Sequence, residues 1–240
     1  GRAQGGRAEA DRSVHGDGGA VSEPYYADEW VTIYHGDCRL LLPGIEADVV
    51  VTDPPYGISI VKSDGTTGGQ PAKGASAPNR VYAPITGDDS PLDPSWLLSL
   101  APHVVVWGAD HFVVTPPNGR FLVWDKRVGL ASNAFADAEV AWDSAGGPTR
   151  LFSHRQMGMF HDGYNDDGQR REHPTQKPVA LMRWCLSLTS GTILDPFAGS
   201  GSTLVAAKSL GRRSIGIEIE EHYCEVAANR CRQEVLGLLG

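Results

Sequence analysis

The sequence lacks the features that mark metal-binding, disulfide-rich and membrane proteins. It has only four cysteines, Cys38, Cys185, Cys224 and Cys231, and no C-x-x-C spacing of the kind that zinc sites use. No apolar run approaches the roughly 18 residues of a membrane span, and the first residues do not have the pattern of a signal peptide. These absences predict a protein of the reducing cytoplasm, without a metal site and without a membrane partner.

An excess of positive charge is also absent. The chain has 21 Lys and Arg against 29 Asp and Glu, which gives a formal net charge of -8. Affinity for nucleic acid without sequence preference comes mainly from Lys and Arg at phosphates, so a protein that coats nucleic acid is disfavoured. Any DNA contact has to be concentrated in a small part of the surface.

The segment 143–172 has the composition expected for such a contact. It mixes basic and aromatic residues, as small nucleic-acid-binding inserts do. Its candidate DNA-binding residues are Arg150, Arg155, Arg170 and Arg171. Acidic residues in the same segment nearly balance these arginines, so a solvated loop remains the alternative interpretation.

The chain as a whole has the pattern of one α/β domain. Residues 1–24 are rich in Gly and charge, which predicts a flexible tail, and 25–240 has the length of a single domain. Residues 57–92 form a connection too long and too rich in Gly, Pro and Ser for an ordinary loop, and we predict that it is mobile.

Seven short apolar runs predict strands buried on both faces, as in a parallel sheet covered by helices. Predicted helices follow three of them, and a further predicted helix precedes the strand 192–195. The pattern predicts a doubly wound, mostly parallel, seven-stranded Rossmann-like sheet. The predicted strands are 31–35, 48–53, 103–107, 121–124, 138–142, 192–195 and 214–218, and the predicted helices are 39–42, 178–188, 203–210 and 220–236.

The motif DPFAGSGS (195–202) lies between a predicted strand and a predicted helix. Its glycines let the backbone turn tightly and approach a ligand closely. The third glycine of the dinucleotide fingerprint is missing because Leu204 occupies its place, which disfavours NAD. Glu218 ends the next strand, where an acidic side chain can accept the hydroxyls of a ribose. Together these features indicate a nucleoside site that needs no pyrophosphate.

The motif DPPY (53–56) follows the most apolar predicted strand. Pro54 and Pro55 have no N–H, so the turn offers carbonyl and carboxylate acceptors with few competing donors. An exocyclic amine of a base is a suitable donor. If Asp53 and the Pro54 carbonyl accept its two hydrogens, its lone pair is localised and can attack a methyl group. Tyr56 supplies an aromatic face for a base turned out of the duplex.

The motif HPTQKP (173–178) leads into a predicted helix. Pro178 suits its first position and Thr175 is a candidate cap. A lysine at a helix N-terminus is disfavoured by the helix dipole, so Lys177 indicates an anion that both the lysine and the free N–H groups bind. A methionine carboxylate is such an anion.

DPPY, HPTQKP and DPFAGSGS, in this order, resemble the β group of S-adenosylmethionine-dependent DNA amino-methyltransferases, in which the catalytic half precedes the cofactor-binding half. The resemblance covers roughly residues 30–236 and implies a permuted motif order in a methyltransferase sheet. It implies S-adenosylmethionine as the cofactor and double-stranded DNA as the partner. The implied catalytic residues are Asp53, Pro54, Pro55 and Tyr56, and the implied cofactor-binding residues are Asp37, Thr175, Lys177, Asp195, Phe197, Gly199, Gly201 and Glu218.

The resemblance implies methyl transfer to N6 of adenine in a flipped-out base, in a restriction-modification system or a related setting. Transfer to N4 of cytosine is the nearest alternative, although members with that specificity more often have Ser at the position of Asp53. Ring-carbon methylation is disfavoured because no cysteine lies near DPPY. A non-catalytic DNA-binding relative and a homodimer are further alternatives that the sequence leaves open.

Overall fold

A mixed sheet of nine strands forms the centre of the described structure, a computed structural model that describes residues 23–59, 61, 85–90, 93–129, 136–157, 160–161 and 176–237. Almost all of the predicted tail and most of the predicted mobile connection 57–92 lie outside these residues. Thr175, Arg170 and Arg171 lie outside them as well.

The strands are β1 (Tyr26–Ala27), β2 (Val31–His35), β3 (Val49–Thr52), β4 (His103–Trp107), β5 (Arg120–Asp125), β6 (Ala138–Asp143), β7 (Arg150–Ser153), β8 (Gln156–Met157), β9 (Phe160–His161), β10 (Ile193–Asp195) and β11 (Ser214–Glu218). The helices are α1 (Cys38–Leu41), α2 (Val179–Ser187), α3 (Ser202–Ser209) and α4 (Glu221–Gly237), with 3-10 helices at Pro94–Ser99 and Ala109–His111. None of the helices in the described part of the chain has the length and apolar character that crossing a bilayer requires.

The sheet order is β1-β2-β11-β10-β3-β4-β6-β5-β7, and β8 pairs with β9 separately. Strands β2, β11, β10, β3 and β4 run parallel, whereas β6 is antiparallel to both of its neighbours. The chain leaves β10 toward β11 on one side, and it leaves β3 toward β4 on the other. The order therefore reverses between β10 and β3, and open α/β sheets bind ligands at the carboxyl ends of strands at such a point.

Side chains of the central strands alternate between two cores, one on each face of the sheet. Val49 and Val51 pack in the core that includes residues of α2, α3 and α4, and Val50 packs in the core on the opposite face. All three valines are fully buried. This two-sided burial explains why the strands are continuously apolar in sequence.

The prediction of a mostly parallel doubly wound sheet is confirmed, but the strand number was wrong, since the sheet has nine strands and not seven. All seven predicted strands are present within a residue or so of their predicted ends. The two additional strands are β1, which has two residues, and β7, which lies at the opposite edge. Short or exposed edge strands have little of the two-sided apolar pattern that identifies the central ones.

Strand β7 falls within the segment 143–172, which the sequence indicated as a small insert. Arg150–Ser153 extend the main sheet by pairing with β5 in parallel, so this part of the segment belongs to the domain. The β8–β9 pair follows directly after it. Residues 162–172 lie outside the described part of the chain.

Candidate active site

A cavity of about 730 Å³ opens at the carboxyl ends of β3, β10 and β11. Because these strands are parallel neighbours, the residues that follow them meet at one edge of the sheet. Every described residue predicted to be catalytic or cofactor-binding lines the cavity except Gly201. These residues are Asp37, Asp53, Pro54, Pro55, Tyr56, Lys177, Asp195, Phe197, Gly199 and Glu218.

The DPPY turn follows β3 directly and is held by its own side chains. The hydroxyl of Tyr56 donates a short hydrogen bond to Oδ1 of Asp53. The ring of Tyr56 lies so close to Gly108 that a side chain at Gly108 would collide with it. His111 stacks on Tyr56 with 5.1 Å between ring centroids and 22° between the planes. These contacts hold the DPPY turn in place, with the Asp53 carboxylate next to the end of β3.

Lys177 lies beside the DPPY turn, and its buried ammonium contacts residues of this turn. Its Nζ donates to Oδ2 of Asp53 at 2.7 Å and to the hydroxyl oxygen of Tyr56 at 2.9 Å. It also lies 3.1 Å from Oε2 of Glu139 on β6. Pro178, and not Lys177, is the residue that precedes the first turn of α2. The ammonium is therefore occupied by two carboxylates, and the predicted role in holding a methionine carboxylate stays a prediction.

Burial and charge have different net effects on the groups of this cluster. Desolvation raises the pKa of Asp53 above the usual carboxyl value, although Lys177 lowers it in part. Desolvation also acts on Glu139, but Lys177 and Lys126 together lower its pKa to about 2. The pKa of Tyr56 lies well above its usual value, mainly because of burial. The phenol therefore remains a hydrogen-bond donor near neutral pH.

The second carboxylate at the switch point, Asp195, has neutral partners. Its Oδ1 accepts from the hydroxyl of Thr52 at 2.7 Å and from the backbone N–H of Phe197 at 3.1 Å. Burial raises the pKa of Asp195 to about 6, and the hydrogen bond from Thr203 is the largest opposing effect. These contacts join the end of β3 to the loop after β10.

The two glycines of the loop after β10 have different surroundings. Gly199 has φ +50°, and a Cβ placed there would meet no atom within 4 Å. Gly201 has φ +81°, and a Cβ there would lie 2.8 Å from Cβ of Ala227 on α4. Gly199 thus leaves room in the cavity, whereas Gly201 allows α3 and α4 to pack closely. The prediction that Gly201 lines the cofactor has no support from this geometry.

Glu218 ends β11 and is held by the backbone on both oxygens. Oε2 accepts from the N–H of Gly199 at 2.7 Å, and Oε1 accepts from the N–H of Glu220 at 2.8 Å. The side chain is buried, which raises its pKa above the usual value. A carboxylate oxygen has more than one lone pair, so each oxygen keeps the capacity to accept a hydroxyl from a ligand.

Two aromatic side chains also line the cavity, and the sequence indicated only one of them. Phe197 contacts Trp96 edge to face, with 6.1 Å between ring centroids. Arg39 lies 5.9 Å from the Trp96 ring, and Asp37 caps α1 beside it by accepting from the N–H of Arg39. Trp96 was missed because it comes from the 3-10 helix before β4, and no motif marks that helix as a neighbour of the loop after β10.

Asp88 is a second residue that the motifs did not reveal. It is buried, and its carboxylate accepts from the N–H groups of Gly57 and Ile58 at 2.8 and 3.2 Å. Thr86, two residues earlier, donates to Glu220 at 2.6 Å. The segment 85–90 thus forms a wall of the cavity between the DPPY turn and the end of β11.

The two described arginines among the predicted DNA-binding residues lie away from the DPPY turn or have internal partners. Arg150 is exposed on the edge strand β7, and β7 is four strand positions from β3. At about 4.8 Å per strand this is roughly 19 Å. Arg155 donates to the carbonyl of Val128 at 3.2 and 2.8 Å. Contact of either residue with DNA stays a prediction.

The doubly wound sheet brings an acidic turn and a glycine loop side by side at its switch point. Comparison with known proteins identifies the family. A family model for N6/N4 methyltransferases, described as DNA methylase, matches residues 106–229, which is half of the chain. The chain belongs to this DNA methylase family.

Similar proteins extend the likeness to the DPPY half of the chain. The type II methyltransferase M.ScaI of Streptomyces caespitosus is 28% identical over 91% of this chain and 87% of its own length. YubD of Escherichia coli (strain K12), described as a methylase, is 32% identical over 81% of this chain and 87% of its own length. The solved PvuII DNA methyltransferase, which is cytosine-N4-specific, shares the fold with a TM-score of 0.51 and 16% identity, over 86% of this chain and 88% of that one.

Proposed function

We propose that this protein transfers a methyl group from S-adenosylmethionine to N6 of adenine in double-stranded DNA. The observation that carries the proposal is the position of Asp53. Its half-buried carboxylate follows β3 at the switch point, lines the cavity and is held by Tyr56 and Lys177. The likeness to type II methyltransferases supports a role in restriction-modification.

The cavity fits the adenosine part of the cofactor. The open space at Gly199 leaves room for a ligand close to the backbone. Glu218 would accept the ribose hydroxyls, because its oxygens are held in place by two N–H groups. Phe197 and Trp96 would bound the adenine, with Asp37 beside them. The cofactor, when bound, supplies an electrophilic methyl group.

The residues of the DPPY turn would prepare the target amine. Asp53 and the carbonyl of Pro54 would accept its two hydrogens, which localises the nitrogen lone pair. As the C–N bond formed and the C–S bond broke, the nitrogen would lose one proton, which the Asp53 carboxylate would accept. The raised pKa of Asp53 favours this transfer because it makes the carboxylate a better base.

A base inside a duplex cannot reach this carboxylate, so the target base would have to be extruded. Tyr56 would stack on it, since its ring is held against Gly108 and His111. Among the predicted arginines, exposed Arg150 would contact DNA at the sheet edge. A cytoplasmic location is compatible with such a substrate, and a homodimer stays a prediction.

N4 of cytosine is the second candidate target. The fold is shared with a cytosine-N4-specific enzyme, and the same acceptors would serve either exocyclic amine. The test is the identity of the methylated nucleoside. Plasmid DNA incubated with the protein and labelled S-adenosylmethionine, then digested to nucleosides, should yield N6-methyladenine. Labelled N4-methylcytosine would overturn the assignment of the base.

A further inference from the structure

The ammonium of Lys177 lies between two carboxylates that come from different strands. One is Oδ2 of Asp53, at 2.7 Å, and the other is Oε2 of Glu139, at 3.1 Å. The opposite oxygen of Glu139 contacts Nζ of Lys126 at 2.7 Å. The four residues form a chain of alternating charge that runs from the DPPY turn to the ends of β5 and β6.

We propose that Glu139 is a positioning residue for methyl transfer, which acts on Asp53 by sharing the Lys177 ammonium and which Lys126 holds in place. The proposal rests on the proposed function only in that Asp53 accepts the hydrogens of the target amine. It applies equally to adenine and to cytosine.

Sharing of the Lys177 ammonium leaves Asp53 able to accept hydrogen bonds from a substrate, because a carboxylate that is fully paired is a poor acceptor. The half-buried Asp53 needs a cation nearby to remain charged, since desolvation alone raises its pKa and favours its protonated form. A lysine that served Asp53 alone would hold Oδ2 tightly and compete with the target amine. Because Glu139 also interacts with this ammonium, the interaction of Lys177 with Asp53 is weaker. Asp53 then remains charged and can still accept a hydrogen bond from the target amine.

The arrangement also separates Glu139 from the ligands. Asp53, Tyr56 and Lys177 line the cavity, but Glu139 and Lys126 are not part of its described wall. A change at Glu139 therefore reaches the reaction through Lys177 and through the effect of its charge on Asp53 and Tyr56. The four charges sum to zero. The buried ammonium of Lys177 has a carboxylate on either side, as a buried charge requires, and the half-buried Lys126 pairs with Glu139 at one end.

Other titratable groups face this cluster from the elements packed around it. The charge on Asp53 raises the pKa of Asp195 on β10. Tyr56 donates a hydrogen bond to Asp53 and accepts one from Lys177. The ring of His111 stacks on Tyr56. The groups that any pH profile has to take into account are Asp53, Tyr56, His111, Lys126, Glu139, Lys177 and Asp195.

The test compares two variants whose effects should be opposite. In Glu139→Gln, Lys177 serves Asp53 alone, so the acid limb of the kcat profile should move to lower pH and the plateau kcat should fall roughly tenfold. In Lys126→Gln, Glu139 loses its contact with Lys126 and interacts more strongly with Lys177, so the acid limb of the kcat profile should move to higher pH. Each shift should be about half a pH unit to one unit.

Asp137→Asn is the matched control. Asp137 lies at the same end of β6 and pairs with Arg127 at 3.0 Å, in an ion pair separate from Lys177. Its kcat profile should equal that of the wild type. Melting temperature and S-adenosylmethionine affinity by calorimetry are measured for all three variants, and the affinity should stay within about twofold in each, since a pairwise loss of cofactor contact would cost more.

The outcomes separate the inference from the proposed function. If the wild type methylates DNA but Glu139→Gln has the profile of Asp137→Asn, Glu139 has no positioning role and the inference is wrong. Shifts of the same sign in both Glu139→Gln and Lys126→Gln would also overturn it, as would a loss of cofactor affinity equal to the loss of kcat. If the wild type transfers no methyl group to DNA, the proposed function itself fails.

Discussion

Asp53 and Asp195 end adjacent parallel strands, yet their partners give them different chemistry. Asp53 has an ammonium within hydrogen-bond distance, and Asp195 has a hydroxyl and a backbone N–H. A cation stabilises the charged form of a buried carboxylate far more than neutral donors do. Asp53 is therefore suited to accept a hydrogen bond from a base amine, and Asp195 is suited to hold the loop after β10 in place.

The raised pKa of Asp195 has a consequence for stability. Its pKa rises from 3.8 to about 6, so the folded state binds the proton more tightly than the unfolded state does. The protonated carboxyl favours folding below the unfolded pKa, and this contribution is lost as pH rises through the folded pKa. At 1.36 kcal/mol per pKa unit, the full contribution is about 3 kcal/mol, and roughly 2 kcal/mol of it is lost between pH 4 and pH 7, because the contribution is complete only well below pH 4.

Asp195→Asn should remove this dependence because the amide does not titrate. The free energy of unfolding of the variant, relative to the wild type, should increase by roughly 2 kcal/mol between pH 4 and pH 7. Denaturant unfolding at a series of pH values measures the difference. A constant difference over this range would show that Asp195 titrates normally in the folded protein.

At the scale of elements, the loop between β10 and α3 contains two glycines with separate tasks. Gly199 leaves space in the cavity, and Gly201 lets α4 approach the start of α3. Arg230 of α4 also donates to the carbonyl of Ser200 at 2.6 Å, so the loop is fixed from the side of the helix. One face of the loop thus borders the cavity, and the other packs against α4.

The variants Gly199→Leu and Gly201→Ala should have different effects, the first mainly on cofactor binding and the second mainly on stability. Both positions have positive φ, which costs about 1 kcal/mol or more for a residue with a Cβ. Gly201→Ala should lose a further 1 to 3 kcal/mol of stability because its Cβ overlaps Ala227. Gly199→Leu should keep more of the stability and lose S-adenosylmethionine binding, measured by calorimetry. Normal cofactor binding in Gly199→Leu would mean that the loop does not border the ligand.

The sequence predicted those elements whose signal is local. The central strands were predicted because two-sided burial makes them apolar, and the DPPY and glycine-loop residues were predicted because their motifs are contiguous. Glu139, Trp96 and Asp88 were not predicted, because each acts through a partner far away in the chain. Only the sheet order brings β6 beside β4 and thereby Glu139 to Lys177.

At the scale of the whole molecule, the formal charge of -8 requires that DNA contacts be few and concentrated. Acidic residues outnumber basic ones in the lining of the cavity, where Arg39 and Lys177 are the two Arg or Lys residues. Attraction to phosphate is therefore expected mainly from basic side chains elsewhere. Arg150 on the exposed edge of the sheet and Arg155 just beyond it are the described candidates.

The double variant Arg150→Gln/Arg155→Gln should bind DNA with a weaker dependence on salt. Each lost phosphate contact reduces the slope of log K against log salt by roughly 0.9, so the slope should flatten by up to about two units. Cofactor affinity should not change. A wild-type slope and affinity in fluorescence anisotropy would exclude both arginines, and the contacts would then have to be sought in residues 57–92.

The central claim is that the Asp53 carboxylate acts on the exocyclic amine of an adenine. The most direct measurement follows labelled S-adenosylmethionine into DNA for the wild type and for Asp53→Ala, with the nucleosides separated and the cofactor affinity measured by calorimetry. The account predicts N6-methyladenine from the wild type and no transfer from Asp53→Ala, with cofactor affinity within about threefold of the wild type, since Asp53 acts on the target and not on the donor. Methyl transfer by Asp53→Ala at the wild-type rate, or a parallel loss of cofactor binding, would contradict it.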